Sequence, residues 1–272
     1  MSTGQVTRHI TGFGPAAILA LVAAPLGAET GETMPSLDQV CTRPAEALPA
    51  ANPEDRYRPA ADWAWLCYYH ADNVALRTKP RPDVVFMGDS ITRNWITVDP
   101  AFFREGRIDR GISGQTTAQM LLRFGPDAVA LNPKVIHLMA GTNDVAANAG
   151  ALAIESTKAN ITAMADLAKA NRISLVIGAI PPAASFPWRD RIAPVDDIRA
   201  LNRWLREFAA SRGLPFIDYF AALGTAEGAA REGLTRDGVH PNADGYRIMA
   251  DLAEPVLEKA VRGTRDRSKS RP

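Results

Sequence analysis

The sequence predicts an α/β fold, a three-layer α/β/α sandwich around a five-stranded parallel sheet. Short continuous apolar runs, typical of strands buried on both faces, alternate with longer segments of helical length. Most gaps between the runs are long enough for the crossover connections that parallel strands require. No internal repeat interrupts residues 84–260, so we expect one domain there. The predicted strands are residues 84–87, 107–112, 135–139, 175–180 and 214–217.

The composition is that of an ordinary globular protein. With 46% apolar and 22% charged residues, the chain has enough apolar side chains for a sizeable core. The formal net charge is only +1, so nothing indicates nucleic acid as a partner. Two cysteines and four histidines are too few for a zinc site, and we expect no metal and no cofactor.

Residues 1–28 have the pattern of a secretory signal peptide. Arg8 precedes an uncharged stretch, residues 13–24, and small residues precede Glu29. A membrane anchor is the alternative, but this stretch is shorter than the roughly 20 apolar residues that a bilayer span requires. We therefore expect cleavage after Ala28, export to the periplasm or the medium, and no membrane span in the mature protein.

Residues 29–80 are expected to form a covering segment ahead of the first strand. Residues 29–60 show no sustained period, whereas residues 62–76 carry apolar side chains at helical spacing and predict an amphipathic helix. Cys41 and Cys67 both fall in this segment, and an exported protein can form disulfides. Pairing them would close a loop of about 27 residues and contribute roughly 3 kcal/mol in the chain-entropy model. Two free buried thiols are the alternative.

Helical patterns recur between and after the later strands. One amphipathic pattern spans residues 161–168, and another spans 198–208 and ends at Gly213. A last helix, residues 244–261, is expected to turn its apolar side chains inward and tether the loop before it. Residues 262–272 carry five basic side chains against a single acidic one, and they predict a solvated, disordered tail.

Glycine and small polar residues follow the first three predicted strands. Gly88, Asp89 and Ser90 end the first strand, Gly114 follows the second, and Asn143 follows the third. Open α/β sheets bind ligands at the carboxyl ends of their strands, so these residues are expected to share one site. The alternative for Ser90 is a simple turn that caps the next helix.

Ser90 needs a base, because an alcohol is a poor nucleophile until its proton is removed. His240 is the candidate base, and Asp237, three residues earlier, would orient and polarise its imidazole. Attack on an ester places negative charge on oxygen, which requires converging donors. The backbone N–H groups of Ser90 and Gly114 and the side-chain amide of Asn143 are the predicted donors.

This constellation resembles the SGNH hydrolases, also called the GDSL esterase and lipase family. Four segments match the family's motifs in order: residues 85–90, 111–116, 141–144 and 237–241. The resemblance spans residues 84–260, within a hydrolase domain assigned to residues 81–261. It implies a flavodoxin-like sheet of order 2-1-3-4-5, with Ser90 as nucleophile, Gly114 and Asn143 in the oxyanion hole, His240 as base and Asp237 as its orienter.

Other polar residues are given structural interpretations. The G-x-S-x-G pattern of α/β-hydrolases is absent around both Ser90 and Ser113, so the sequence argues against that class. His137 lies inside the third strand and is predicted to be a hydrogen-bonded core residue. Asp89 and Asp144 are expected to brace the turns that present Ser90 and Asn143.

The loop after the fourth strand should overhang the same sheet edge. Phe186, Trp188 and Arg189 are therefore predicted to contact the substrate, although a proline-stiffened loop with a buried anchor tryptophan is the alternative. An aromatic surface beside a guanidinium suits a sugar ring, so an oligosaccharide carrying acetyl or other short-chain esters is the expected substrate. The alternatives are lysophospholipid or thioester hydrolysis, and a catalytically idle carbohydrate-binding protein.

Overall fold

Five parallel strands form the central sheet of this computed structural model, which describes residues 36–41, 62–104, 106–150 and 153–269. The strand order is β2-β1-β3-β4-β5, which confirms the predicted α/β fold and the order that the resemblance implies. The predicted signal peptide lies outside the described residues. The strands are Val84–Gly88 (β1), Arg107–Gly111 (β2), Val135–Met139 (β3), Ser174–Gly178 (β4) and Phe216–Ile217 (β5).

Helices connect the strands. None of the helices in the described part of the chain combines the length and the apolar character that crossing a membrane requires. The helices are Leu37–Cys41 (α1), His70–Leu76 (α2), Ser90–Val98 (α3), Thr117–Asp127 (α4), Thr142–Val145 (α5), Ile154–Ala170 (α6), Val195–Arg212 (α7), Tyr219–Leu223 (α8) and Ala243–Lys269 (α9), with a short 3-10 helix at Val129–Leu131.

Each face of the sheet buries its own apolar cluster, because side chains alternate along a strand. Val85 and Met87 of β1 pack on one face with side chains from α4, α6 and α7. Val84 and Phe86 pack on the other face with side chains from α3, α8 and α9. Every residue of β1 is therefore buried, which explains why its sequence is a continuous apolar run.

The strand order reverses beside β1, since β2 lies on one side of it and β3 on the other. A reversal of this kind opens a crevice at the carboxyl ends of the strands. Ser90 lies just beyond β1 and Asn143 just beyond β3, so both residues stand at the switch point. The topology thus explains why these two strand ends meet.

The covering segment differs from its prediction. Residues 62–69 form turns, and helix α2 begins only at His70, so the helix predicted over residues 62–76 is wrong in its first half. The carboxylate of Asp62 accepts hydrogen bonds from the backbone N–H groups of Leu66 and Cys67 at 2.8 and 2.9 Å. Side-chain hydrogen bonds of this kind compete with a helix and favour a turn.

A disulfide joins Cys41, at the end of α1, to Cys67 in these turns. It is the pairing that the predicted export led us to expect. Its consequence is local. The Asp62 side chain fixes the start of the turn, and the disulfide at Cys67 fixes its end.

The last helix is longer than predicted. Helix α9 continues to Lys269, so the expectation of a disordered tail from residue 262 is wrong for residues 262–269. The side chain of Arg262 pairs with Glu258 one turn earlier, at 3.2 Å, and such i,i+4 pairs stabilise exposed helices. Charge alone was therefore a poor indicator of where the helix ends. Residues 270–272 lie outside the described part of the chain.

Candidate active site

Ser90 is the first residue of α3, and only Asp89 separates it from the buried strand β1. Asp89 caps this helix, since its carboxylate accepts the backbone N–H of Ile91 at 2.9 Å. Gly88 leaves no space for a side chain, because a Cβ there would lie 2.0 Å from the hydroxyl of Thr92. The residue before the cap must therefore be glycine for the strand and helix to meet this closely.

Ser90, His240 and Asp237 form a continuous hydrogen-bonded chain. The Ser90 Oγ atom lies 2.9 Å from His240 Nε2, and His240 Nδ1 lies 2.7 Å from Asp237 Oδ2. The other carboxylate oxygen, Oδ1, accepts the backbone N–H groups of Val239 and His240 at 3.1 and 2.7 Å. The Asp-x-x-His spacing predicted from the sequence thus closes into a tight turn that orients the ring.

The electrostatics of this turn favour an ionised Asp237. Partial burial alone would raise its pKa, but the hydrogen bonds from the backbone and ring of His240 outweigh that effect and hold the pKa of Asp237 below its ordinary value. An anionic carboxylate facing Nδ1 stabilises the ring tautomer with its proton on Nδ1, which leaves Nε2 free to accept a proton from Ser90. The arrangement is therefore suited to base catalysis at Ser90.

Asn143 lies close to the turn that carries Ser90 and is almost fully buried. Its Nδ2 donates to the backbone carbonyl of Gln115 at 3.1 Å and more weakly to Asp89 Oδ2 at 3.3 Å. Its Oδ1 accepts from Asn148 Nδ2 at 2.6 Å. These partners orient the amide with its nitrogen toward the Ser90 turn, and the long bond to Asp89 is the one that an anionic oxygen would replace most easily.

Gly114 precedes Gln115 and has a φ of +78°, a left-handed conformation that glycine adopts without strain. The carbonyl that accepts from Asn143 therefore belongs to the residue directly after Gly114. This contact connects Asn143 to the turn that carries Gly114. The third predicted oxyanion donor, the backbone N–H of Ser90, lies at the start of α3, where helix N–H groups have no partner within the helix.

The remaining polar residues near the strand ends have structural roles. Burial raises the pKa of Asp89 to about 6, although the hydrogen bond from Ile91 opposes the shift. Asp144 accepts bonds from the backbone N–H of Thr117 at 2.9 Å and the hydroxyl of Thr157 at 3.0 Å, so it ties α5 to α4 and α6. His137 is fully buried, 3.0 Å from the Tyr219 hydroxyl, as predicted for a core residue.

The loop after β4 brings one aromatic side chain to the site. Trp188 is 39% exposed, and its ring centroid lies 5.7 Å from that of His240. Its indole N–H donates to Asn148 Oδ1 at 3.0 Å, which connects this loop to the partner of Asn143. Trp188 is therefore the residue of this loop that the structure brings beside the turn formed by Asp237 and His240.

Phe186 and Arg189 occupy different positions from Trp188. Phe186 is completely buried and packs beneath Trp188 with ring centroids 5.3 Å apart, so its predicted contact with substrate is wrong. Its apolar ring gains more from the core than from the loop surface. Arg189 is exposed on the same turn, and its backbone N–H donates to the carbonyl of Phe186 at 2.8 Å. The buried anchor of this loop is thus a phenylalanine and not the tryptophan.

Sequence reasoning missed Arg123, whose side chain is completely buried. Its guanidinium donates to the Gly88 carbonyl at 3.0 Å, to Asp127 at 3.1 Å and to the Gln115 side chain at 2.5 Å. The sequence feature that could have revealed it is its spacing from Met120 and Phe124, which places it on the apolar face of α4. A charged residue on such a face needs buried partners, and that requirement points to a polar network.

No cluster of three or more His, Cys, Asp and Glu side chains is arranged to hold a metal ion among the residues that the structure describes.

Comparisons with known proteins identify what the chain is similar to. The family model of the GDSL-like lipases and acylhydrolases matches residues 86–248. A GDSL-like lipase from Bacteroides thetaiotaomicron is 42% identical, with a TM-score of 0.69 over 72% of this chain and 98% of that chain. A proposed acylhydrolase from Bacteroides fragilis is 39% identical, with a TM-score of 0.70 over 73% of this chain and 98% of that chain.

A more distant solved structure is an acetyl xylan esterase. It is 25% identical to this chain, with a TM-score of 0.52 over 63% of this chain and 98% of that chain. None of the curated proteins matches the chain.

Proposed function

This chain belongs to the GDSL-like lipase and acylhydrolase family, and from that premise we propose that it is an exported serine esterase acting through Ser90, His240 and Asp237. The observation that carries the proposal is the hydrogen-bonded chain from Ser90 Oγ to His240 Nε2 and from His240 Nδ1 to Asp237, at 2.9 and 2.7 Å. A nucleophile, a base and a group that orients the base are the three parts that acyl transfer needs.

In the first half of the reaction, Ser90 Oγ attacks the ester carbonyl carbon while His240 Nε2 takes the hydroxyl proton. The tetrahedral intermediate then breaks its bond to the alcohol oxygen, which leaves with the proton from His240. An acyl group remains on Ser90. In the second half, water attacks this acyl-enzyme and gives a proton to His240. The bond between the acyl carbon and Ser90 Oγ then breaks, His240 returns the proton to Oγ, and the carboxylic acid leaves.

The negative oxygen of both tetrahedral intermediates would be stabilised by the backbone N–H groups of Ser90 and Gly114 and by Asn143 Nδ2. Donors that are already fixed before the reaction cost no reorganisation during it, which makes such groups effective. The burial of Asn143 and its fixed amide orientation support this role.

The substrate that we propose is an acetyl or other short-chain ester of a carbohydrate. Trp188 supports it, because an exposed indole beside the catalytic histidine offers a flat apolar face of the kind that sugar rings stack against. The likeness to an acetyl xylan esterase points in the same direction. The signal-peptide pattern of residues 1–28 adds the proposal that the enzyme acts outside the cytoplasm.

Hydrolysis of p-nitrophenyl acetate by the purified protein tests the catalytic proposal. We expect Ser90→Ala to lower kcat by about 10⁶-fold, toward the uncatalysed rate, as losing a triad serine does elsewhere. Ser113→Ala is the matched control, because Ser113 is an exposed serine of the neighbouring loop, and it should retain most of the activity. Turnover by Ser90→Ala at the wild-type rate would eliminate Ser90 as the nucleophile, whereas a folded wild-type protein without turnover would favour an idle binding protein.

A substrate panel tests the carbohydrate proposal separately. We expect kcat/KM to be higher for acetylated oligosaccharides than for lysophospholipids or acyl thioesters, because an alcohol with a ring can stack on Trp188. Release of acetate, fatty acid and thiol measures the three classes side by side. A clear preference for lysophospholipid or thioester would reject the carbohydrate ester while leaving the serine mechanism intact.

A further inference from the structure

Gln115 joins the covering segment to the oxyanion side of the site. It follows Gly114, and its side chain is buried with 1% exposure. Its amide nitrogen donates to the Ala64 carbonyl at 3.0 Å, and its amide oxygen accepts from Arg123 at 2.5 Å. One side chain therefore contacts both the turns that precede α2 and the polar interior of the main domain.

The backbone of Gln115 makes a third connection. Its carbonyl accepts Nδ2 of Asn143 at 3.1 Å, and its N–H donates to the Ile112 carbonyl at 3.3 Å. The orientation of the 112–115 turn thus sets where the Gly114 N–H points and also where the Asn143 amide is held. A displacement of Gln115 would move two proposed oxyanion donors together.

Arg123 extends the same network to the nucleophile. Its guanidinium holds the Gly88 carbonyl, two residues before Ser90, and the carboxylate of Asp127. Because a fully buried guanidinium needs acceptors in several directions, Gln115 is fixed on this side by a group that has few alternatives. The strand end that carries Ser90 and the turn that carries Gly114 are held by one cation.

The covering segment is itself held in place on several sides. The Asp62 carboxylate and the Cys41–Cys67 disulfide fix the turn that presents the Ala64 carbonyl. Further along, Tyr69 donates to the Gly111 carbonyl at 2.5 Å, and Asn73 donates to Asp127 at 2.7 Å. The segment is thus a rigid partner for Gln115, although it precedes residues 86–248 that match the family model.

Resting on the proposed function, we propose that Gln115 is a positioning residue through which residues 62–76 of the covering segment hold Gly114 and Asn143 in their oxyanion-binding geometry. Gln115 does not touch the reacting atoms. It acts through the backbone of Gly114 and the amide of Asn143, so its loss should lower transition-state stabilisation and leave substrate binding intact.

The test is Gln115→Glu, compared with Gln119→Glu. A glutamate at 115 keeps the size of the side chain and its bond to Arg123, but it places an acceptor oxygen against the Ala64 carbonyl. Gln119 is a matched control, since its amide nitrogen donates to the adjacent Trp63 carbonyl at 3.0 Å while its oxygen completes the helix cap at Thr116. Gln119→Glu makes the same chemical change against the same segment and keeps the oxygen that accepts the Thr116 N–H.

We expect Gln115→Glu to lower kcat for p-nitrophenyl acetate by about 10-fold with KM within about twofold, a part of what losing an oxyanion donor costs. The inhibition constant of phenylboronic acid, which forms a tetrahedral adduct on a catalytic serine, should rise by a similar factor. Gln119→Glu should keep kcat within about twofold. Thermal unfolding of both variants separates a loss of stability from a loss of positioning.

The outcomes separate the two proposals. An active wild-type enzyme whose folded Gln115→Glu variant keeps its kcat, or loses no more than Gln119→Glu does, would overturn the positioning role alone. An inactive wild-type protein would overturn the proposed function. Gln115→Met, which removes both hydrogen bonds without adding charge, serves if the glutamate variant does not fold, and failure of both variants to fold would assign Gln115 a purely structural role.

Discussion

The two sides of the proposed catalytic site are built in opposite ways. Asp237 and His240 lie in an exposed loop between α8 and α9, and the polar partners of Asp237 come from within the same turn. Gly114 and Asn143 lie in a buried network whose partners come from distant parts of the chain, including Ala64 and Arg123. One side is local and accessible, and the other is long-range and enclosed.

This difference follows from what each side does in the proposed reaction. The base side exchanges protons with substrate and water, so access is useful and the ring needs only a defined tautomer and direction. The oxyanion side must keep its donors fixed while charge develops, and burial with several hydrogen bonds provides that rigidity. Changes on the base side should therefore affect rate alone, whereas changes on the oxyanion side affect rate and folding together.

The sharpest test of this separation is Asp237→Asn. An asparagine can still accept the two backbone N–H groups, but it presents an N–H to His240 Nδ1 and favours the tautomer that cannot accept a proton from Ser90. We expect kcat to fall by about 10²- to 10⁴-fold. The midpoint of thermal unfolding at pH 7 should stay close to the wild-type value.

Asp244→Asn is the matched control for this change, because Asp244 lies in the first turn of α9 and pairs at the surface with Arg247. It should leave kcat nearly unchanged, as surface pairs contribute little. If Asp237→Asn instead unfolded at a much lower temperature than Asp244→Asn, the loop would be part of the structural core and the comparison would fail.

The base side was also the easier one to predict from sequence. Asp237 and His240 are three residues apart, so their contact needs no knowledge of the rest of the fold. Apolar runs likewise predicted four of the five strands, because a strand buried on both faces has no polar alternation to obscure it. The run was weak only at β2, which carries Arg107, Asp109 and Arg110. Local chemistry and burial patterns are properties that a short stretch of sequence carries by itself.

The oxyanion side was predicted only at its glycine and asparagine. Gln115 was not identified, because its partners Ala64 and Arg123 lie 51 and 8 residues away, and no spacing rule connects them. Phe186 was assigned to the surface because an aromatic residue in a loop has the same sequence signature whether it is buried or exposed. Tertiary packing decides such cases.

His137 offers a way to separate the acid sensitivity of the interior from that of the loop. Burial lowers the pKa of its ring to about 3, from an ordinary value near 6.5. As the pH falls below 6.5, the His137 ring therefore binds a proton in the unfolded chain but not in the folded one. The stability that His137 contributes is fully present above pH 6.5 and is lost as the pH falls from there toward 3.

Several carboxylates also change the free energy of unfolding with pH, and they do so in different directions. The lowered pKa of Asp237 means that its contribution is lost only as the pH falls below the ordinary value for an aspartate. Burial raises the pKa values of Asp89 and Asp109 to about 6. The folded state therefore binds these protons before the unfolded state does, and the two residues add stability as the pH falls toward 5. The wild-type curve alone therefore mixes opposing effects, and only a difference between variants isolates the histidine.

We expect His137→Gln to remove about 2 kcal/mol of the stability loss between pH 7 and pH 5. At pH 5 the solution is roughly 1.5 pH units below the pKa of a histidine in the unfolded chain, and each unit corresponds to about 1.4 kcal/mol. Urea unfolding of both proteins at the two pH values measures the difference. Tyr219→Phe, which removes the hydroxyl partner of His137 but keeps the titrating ring, should retain the wild-type pH dependence. Equal pH dependence in the wild type and His137→Gln would show that acid does not act through the His137 ring, and the contrast between an acid-sensitive histidine in the interior and the separate Asp237–His240 loop would have to be abandoned.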